Sequence, residues 1–460
     1  MKRVRTLLAA ALAVGLAFLA IRLDGGDAAE AGAARAPLVA AGSIEPESLA
    51  SVELEREGVV HRFARRDGAW WQIEPVEHPV DGWSMRQFAS RVLKVESVRS
   101  VPLSGDEAAR TEALRAAGFD PPVGRIRLVD EPAGAAPRSV EIELGRRSLA
   151  GRAYARIVGS ATGGYEVVDA TLHEYALERD PREFRRRDLF PDLTEVDRLD
   201  FASGANRLVL VRKGREFGLE APVATRADRA QVEELLEALR RARSSGFVTD
   251  APSDLAVYGL EPAAATLVVT GGGVERTVLV GDTVSIGAQD RFALVSGTRT
   301  VVRVPAATLA SMLPRVERVI DPVAAGVRAA DVGAIEIARG AERVSIRREV
   351  SGWTGEFGTQ GAAGTAGVFD GEAVDRLLAA LTATRAGSIQ MQPLAPGAET
   401  ATVTLRGFAG EPLDTVRVVV DEAQGRTAFE NGDGVQRVHG AIDLPIAPDA
   451  LGFKPGVTKK

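Results

Sequence analysis

One order of elements occurs three times along the chain, at a period of about 140 residues, and that repetition constrains the fold more than any single motif. Each unit opens with a strand hairpin. The pairs are Val52 to Glu55 with Val60 to Ala64, Arg198 to Phe201 with Arg207 to Val211, and Ala334 to Ile337 with Arg343 to Ile346. Apolar and polar residues alternate in these pieces, as strands with one buried face require. A charged or Gly-containing turn then leads to an aromatic residue: Arg66-Asp67-Gly68 to Trp70-Trp71-Gln72-Ile73, Lys213-Gly214-Arg215 to Phe217-Gly218-Leu219, and Val350-Ser351-Gly352 to Trp353. Pro75-Val76 and Pro222-Val223 close the segment in the first two units, and the third departs from the pattern.

The next element is an amphipathic helix. Val232, Leu235, Leu236 and Leu239 recur as Val374, Leu377, Leu378 and Leu381, and this i, i+3, i+4, i+7 spacing puts four apolar side chains on one helix face. Phe88, Val92, Leu93 and Val95 form a looser stripe in the first unit, and Asp228 and Asp370 stand where they can cap the second and third helices. The second half of each unit is β again. Gly118-Phe119-Asp120-Pro121 matches Gly259-Leu260-Glu261-Pro262, whereas the third unit keeps only Ala395-Pro396; strands follow at Arg125 to Val129, Thr266 to Thr270 and Ala401 to Leu405. A further strand ends at Gly145 or Gly281, then come a hairpin-like stretch and a short helix. Two units agree over their full length and the third over about half.

The expected architecture is therefore α+β: three tandem related modules, each an antiparallel β-sheet covered by one main amphipathic helix, after an N-terminal membrane segment. The expected divisions are a signal anchor or signal peptide over residues 1–23, a flexible Ala/Gly linker over 24–43, and modules over 44–192, 193–322 and 323–460. Lys2, Arg3 and Arg5 precede an uncharged run from Thr6 to Ile21, which orients the N-terminus in the cytoplasm and the rest of the chain on the far side. The run is short for a bilayer span, and Ala29-Glu30-Ala31 and Ala31-Gly32-Ala33 resemble small-residue cleavage sites. An anchor is favoured over a cleaved signal, because those sites lie far from the run and Arg22 suits an interfacial position.

The chain resembles the domain of unknown function 4340 family. The resemblance rests on Gly68-Ala69-Trp70-Trp71-Gln72-Ile73 with Pro75-Val76, on Tyr258-Gly259-Leu260-Glu261-Pro262 after an amphipathic helix, and on the N-terminal segment; it covers most of Ile44 to Pro322 and weakly the remainder. It implies an envelope protein, single-pass in the inner (cytoplasmic) membrane with its bulk in the periplasm or extracytoplasmic space, and accessory to an ABC-type transporter. It transfers no catalytic residue.

The residues themselves suggest no chemistry. With no Cys there are no disulfides, thiolate metal sites or cysteine nucleophile, and a net charge of −6 supplies no basic field for nucleic acid. His61, His78, His173 and His439 fall in separate elements without metal-ligand spacing; His173-Glu174 starts like a zincin helix but lacks the second histidine, so a surface or capping role is expected. Neither a Gly-x-Ser-x-Gly elbow nor a Walker loop occurs, and Gly271-Gly272-Gly273 between two strand patterns reads as a hairpin turn. Arg182 and Arg185 to Arg187, interleaved with Asp180, Glu183 and Asp188, read as a solvated, locally paired face; Gly358, Gly361, Gly364 and Gly367 read as a loop. Glu233, Glu234 and Asp282 predict no glycosidase without a pocket. The expectation is thus a non-catalytic scaffold or accessory protein with no cofactor, metal or catalytic residue. The alternative is a secreted or periplasmic protein binding saccharide or peptide, released by signal cleavage.

Overall fold

The computed structural model describes residues 36–160, 163–191, 193–395 and 397–456. The membrane segment expected over residues 1–23 lies outside them, and among the described residues no helix is long and apolar enough to cross a membrane. The chain divides into two compact units, Met1–Arg186 and Arg187–Lys460.

The first unit holds one antiparallel sheet. Its main strands are β1 (Leu49–Arg56), β2 (Val59–Arg66), β3 (Ala69–Glu74), β4 (His78–Pro79), β5 (Glu96–Val101), β6 (Gly124–Asp130), β7 (Arg138–Arg147), β8 (Arg152–Ile157) and β9 (Tyr165–Asp169), in the spatial order 5-9-8-7-6-1-2-3-4, with the short strand Ala36–Pro37 added at the edge beside β5. The second unit holds two sheets. One comprises β10 (Arg198–Ser203), β11 (Asn206–Lys213), β12 (Glu216–Ala221), β13 (Thr225–Arg226), β14 (Gly246–Asp250), β15 (Ala265–Gly271), β16 (Val274–Thr283), β17 (Arg291–Val295) and β18 (Thr300–Val304), ordered 14-18-17-16-15-10-11-12-13. The other comprises β19 (Ala334–Arg339), β20 (Glu342–Glu349), β21 (Gly352–Thr359), β22 (Thr365–Phe369), β23 (Ser388–Gln390), β24 (Ala401–Arg406), β25 (Pro412–Asp421), β26 (Arg426–Glu430) and β27 (Gln436–His439), ordered 23-27-26-25-24-19-20-21-22, with the short strand Lys454–Pro455 added at the edge beside β22. The three orders are one order. The third repeat, legible over half its length in the sequence, keeps the complete strand arrangement.

Cross-strand register repeats as well. Arg65 faces Trp70, Arg212 faces Phe217 and Arg348 faces Trp353. In the last two pairs the guanidinium lies over the ring, at 4.7 and 4.5 Å from its centroid, a cation–π contact across the hairpin.

The main helices are α1 (Gly82–Leu93), α2 (Arg229–Arg241) and α3 (Gly371–Thr382). Each begins with an aspartate whose carboxylate accepts from backbone N–H groups of the first turn: Asp81 from Trp83 and Ser84, Asp228 from Ala230 and Gln231, and Asp370 from Glu372. These bonds satisfy donors that have no partner inside the helix. Four residues after each cap the apolar stripe begins. In α2 and α3 it consists of the expected residues, all buried. In α1 it is Met85, Phe88, Ala89 and Val92, the same i, i+3, i+4, i+7 pattern. Leu93 ends that helix, and Val95 lies beyond it, both only partly buried. The looser stripe was a misregistration, because a short alanine supplies little hydropathy even where a helix needs a small residue against its sheet. One hydrophobic core lies under each helix.

The turns repeated between the first two sheets occupy like positions. Gly118 and Gly259 both adopt left-handed backbone after a helical turn, and Pro121 and Pro262 both follow cis peptide bonds, as do Pro75 and Pro222. The carbonyl just before each of those glycines backs onto a glycine of the neighbouring strand. A Cβ on Gly145 would lie 2.5 Å from the Ala117 oxygen, and one on Gly281 would lie 2.0 Å from the Tyr258 oxygen. Gly281→Ala should therefore destabilise the second unit by about 1–3 kcal/mol through forced backbone displacement; chemical denaturation measures it, and Gly440→Ala, a control with open space at its Cβ and no positive φ, should leave the midpoint nearly unchanged.

Two expectations for loops are corrected. The spacer read over 24–43 ends sooner: Ala36–Pro37 pairs with β5, Leu38 donates to the Val95 oxygen at 2.7 Å, and Leu38 and Val39 enter the first core. Buried Asp130 fastens the next turn, accepting from the Glu45 amide at 2.9 Å while paired with Arg138. The glycine run at 358–367 is a loop only in part: Gly361 and Gly364 lie in the turn of the β21–β22 hairpin, while Gly358 and Gly367 lie in its strands. Its backbones approach closely, with a Cβ on Gly367 only 2.3 Å from the Lys454 oxygen, so side-chain-free residues there serve close approach within the sheet.

Candidate functional site

In the first two modules a groove lies where the main helix runs beside the short helix that ends the module. In the first unit that short helix starts at Thr171 and continues as a wider turn through Glu178. The groove has a volume of about 400 Å³, within the range of small-molecule sites. Val92, Val95, Val98, Leu172 and Tyr175 form its apolar walls, and Arg91, Lys94, Glu96, Arg152 and Asp169 bring charge to it. The Arg91 guanidinium carbon sits 4.4 Å from the centroid of the Tyr175 ring. Arg152 lies 3.9 Å from Asp169, and hydrogen bonds from the Thr171 hydroxyl and amide hold the Asp169 carboxyl below its usual pKa. The second unit has a corresponding groove between α2 and the helix Ala306–Met312, lined by Leu235, Ala238 and Ala242. Arg241 in that groove is paired with Glu237 at 2.9 Å.

A second polar assembly joins the two sheets of the second unit. Arg437 is fully buried; its Nη2 donates to Asp433 Oδ2 at 2.7 Å and to Thr225 Oγ1 at 3.2 Å, and its Nε donates to the Asp321 carbonyl at 2.9 Å. Arg226 on the edge strand β13 reaches Asp321 at 3.0 Å and Asp414 at 3.4 Å. Val435, between Asp433 and Arg437, is buried in the core beneath the second sheet. The N-cap Asp228 also pairs with Arg385 beyond the end of α3. These groups are saturated with one another, which makes them a joint between sheets and not an open site.

The expected absence of a histidine cluster concerns residues in unlike surroundings. His173 is buried rather than at the surface, with Nε2 2.9 Å from the Gly145 oxygen, and burial pushes its pKa down. The sequence concealed this because the short helix turns inward. His439 is also buried, edge-on to the Phe429 ring, and likewise lowered by burial. His78 is buried, and His61 lies 3.5 Å from Gln72. Among the described residues no three metal-ligating side chains converge. The arginine cluster divides: Arg182 pairs with Asp180 at 2.7 Å as expected, but Arg185 is buried and donates to Gln72 Oε1 at 2.7 Å, so the solvated-face reading fails there. Glu233 is an exposed partner of Arg229, and Asp282 packs beside Gly259. Arg91 and Lys94 carried no motif; only their register against the other two helices distinguishes them.

Residues 218–406 match the family model of a domain of unknown function, DUF4340. This stretch belongs to the DUF4340 family. The DUF4340 match includes the Tyr258–Pro262 motif and runs from β12 into β24, while the tryptophan motif of the first unit precedes it. No curated protein matches the chain. Among solved structures, the chain is compared with a DNA polymerase sliding clamp from Pseudomonas aeruginosa at 8% identity, over 87% of this chain and 93% of that one, with a TM-score of 0.15. A DnaN sliding clamp from Bartonella birtlesii LL-WM9 has 9% identity over 88% and 93% at 0.15, and a putative DNA polymerase III beta subunit from Eubacterium rectale has 6% over 87% and 93% at 0.14. At such scores the DUF4340-containing chain and the clamps have no established common fold.

Proposed function

We propose that this is a non-catalytic accessory or scaffold protein of the cell envelope, held in the inner membrane by its N-terminal segment, with its modules outside the cytoplasm, and associated with an ABC-type transport complex. One observation carries the scaffold reading: the residues that recur between modules are helix caps, helix stripes, close-approach glycines and cross-strand aromatic pairs. What repeats is a frame. The buried joint around Arg437 fits the same reading, since it ties consecutive sheets of the second unit together. Placement in the envelope rests on the basic residues before the apolar run and on the family resemblance.

Two measurements test this. The tagged full chain, purified from solubilised membranes, should recover transporter ATPase and permease subunits; recovery of the chain alone would overturn the association. A reporter fused after Lys460 that works only outside the cytoplasm should be active, and Leu12→Arg should silence it, because an arginine at the centre of the run costs about 2.5–3.5 kcal/mol of insertion free energy. Activity of a cytoplasm-only reporter would reject the localisation. The groove of the first unit favours a second reading, an extracytoplasmic ligand-binding protein released by signal cleavage, which a mature N-terminus after Ala31 would support.

A further inference from the structure

The three helices share one stripe and one capping position, so they can be read against each other residue by residue. Where α1 carries Arg91, α2 and α3 carry Ala238 and Ala380; where α1 ends in Lys94, the others have Arg241 and Ala383. The fold therefore does not require a cation at either place, and the third module does without both. In the second module Arg241 is paired along its own helix with Glu237, whereas among the described residues neither Arg91 nor Lys94 has an ion-pair partner. Both instead line the groove of the first unit, three residues apart on one side of the helix. The Tyr175 ring beneath Arg91 holds its guanidinium at the groove wall, reducing the side-chain freedom lost on binding an anion.

A favourable helix dipole accounts for cations near the C-terminus, as for Arg240 and Arg241 of α2, but not for two unpaired ones above an aliphatic hollow. The walls beneath them, Val92, Val95, Val98 and Leu172, match an unbranched hydrocarbon better than a sugar, which would need hydrogen-bonding groups there. Asp169 already has hydrogen bonds from Thr171 and Arg152 nearby, and this leaves Glu96 as the acid at the rim without an ion-pair partner among the described residues.

We infer that the groove between α1 and the Thr171 helix binds a small amphipathic carboxylate, its alkyl chain on the valine floor and its carboxylate between Arg91 and Lys94. Glu96 weakens the affinity of this site for anions. This inference goes beyond the scaffold reading and stands with or without a transporter partner.

Photo-crosslinking of the full chain in phospholipid nanodiscs, with an octanoate analogue carrying a terminal diazirine, tests it. Labelling should concentrate on residues 92–98 and 171–175, and excess octanoate should displace the probe while octyltrimethylammonium does not. Arg91→Ala/Lys94→Ala, which installs the residues of the third module, should weaken labelling by about tenfold or more, as expected on losing two charge-assisted hydrogen bonds. Glu96→Gln should strengthen it. Labelling scattered along the chain, equal displacement by the cationic amphiphile, or an unchanged signal in the double variant would each overturn the proposal. Should the double variant fail to fold, Glu96→Gln decides the matter alone: no gain in labelling refutes the anion site.

Discussion

Leu378→Ala is expected to destabilise the second unit by about 2–5 kcal/mol, the range for removing a buried leucine from a core that cannot fully collapse around the gap. Leu378 is 1% exposed and packs with Leu377, Leu381 and Val374 over the third sheet. Two terms add: lost transfer of the isobutyl group and the cavity it leaves. Leu236→Ala in α2 should fall toward the lower end, because Leu236 retains 8% exposure and its site can admit water as it relaxes. Denaturant unfolding followed by circular dichroism measures both. An unchanged midpoint for Leu378→Ala would mean that the stripe is a docking face for another protein, not a core.

The helix stripes were legible because four leucines and valines at helical spacing survive any background. The first stripe was harder, since Ala89 and Met85 stand where the other helices have leucine and valine. Strand pairs were legible for a similar reason: alternation over five or more residues specifies a buried face. The strand order in the third sheet was not, because its Gly-acid-Pro turn has decayed to Ala395-Pro396 while backbone pairing, which needs no particular side chain, persists. Glycine run 358–367 misled at Gly358 and Gly367 for the converse reason. Composition alone suggests a loop, but close approach of β21, β22 and the Lys454 segment requires the same residue. The groove of the first unit was invisible in one dimension, its two sides lying some eighty residues apart in sequence.

The buried joint of the second unit should be even more sensitive to a single change. Asp433→Ala removes the carboxylate that faces Arg437, leaving a guanidinium with no exposed side-chain surface and only carbonyl and hydroxyl partners. Stranding one member of a buried pair costs about 3–5 kcal/mol, whereas replacing both by apolar residues is often nearly neutral. Arg437→Met/Asp433→Ala should therefore be more stable than Asp433→Ala. Acid should mimic the single variant. Burial pushes the Asp433 carboxyl upward, but hydrogen bonds from Arg437 and Thr225, with the Arg437 charge, overcome it and leave the pKa below the usual carboxylate value. The unfolded chain then binds the proton more readily than the folded one. The stabilisation is accordingly complete above the ordinary aspartate pKa and declines as pH falls from there through the lowered value. Unfolding free energies of wild type and Asp433→Ala, measured from neutral pH down to about pH 3, should converge as the carboxylate protonates. Parallel curves would show that Asp433 does not stabilise the joint as an anion, and that Arg437 is held by its carbonyl partners alone.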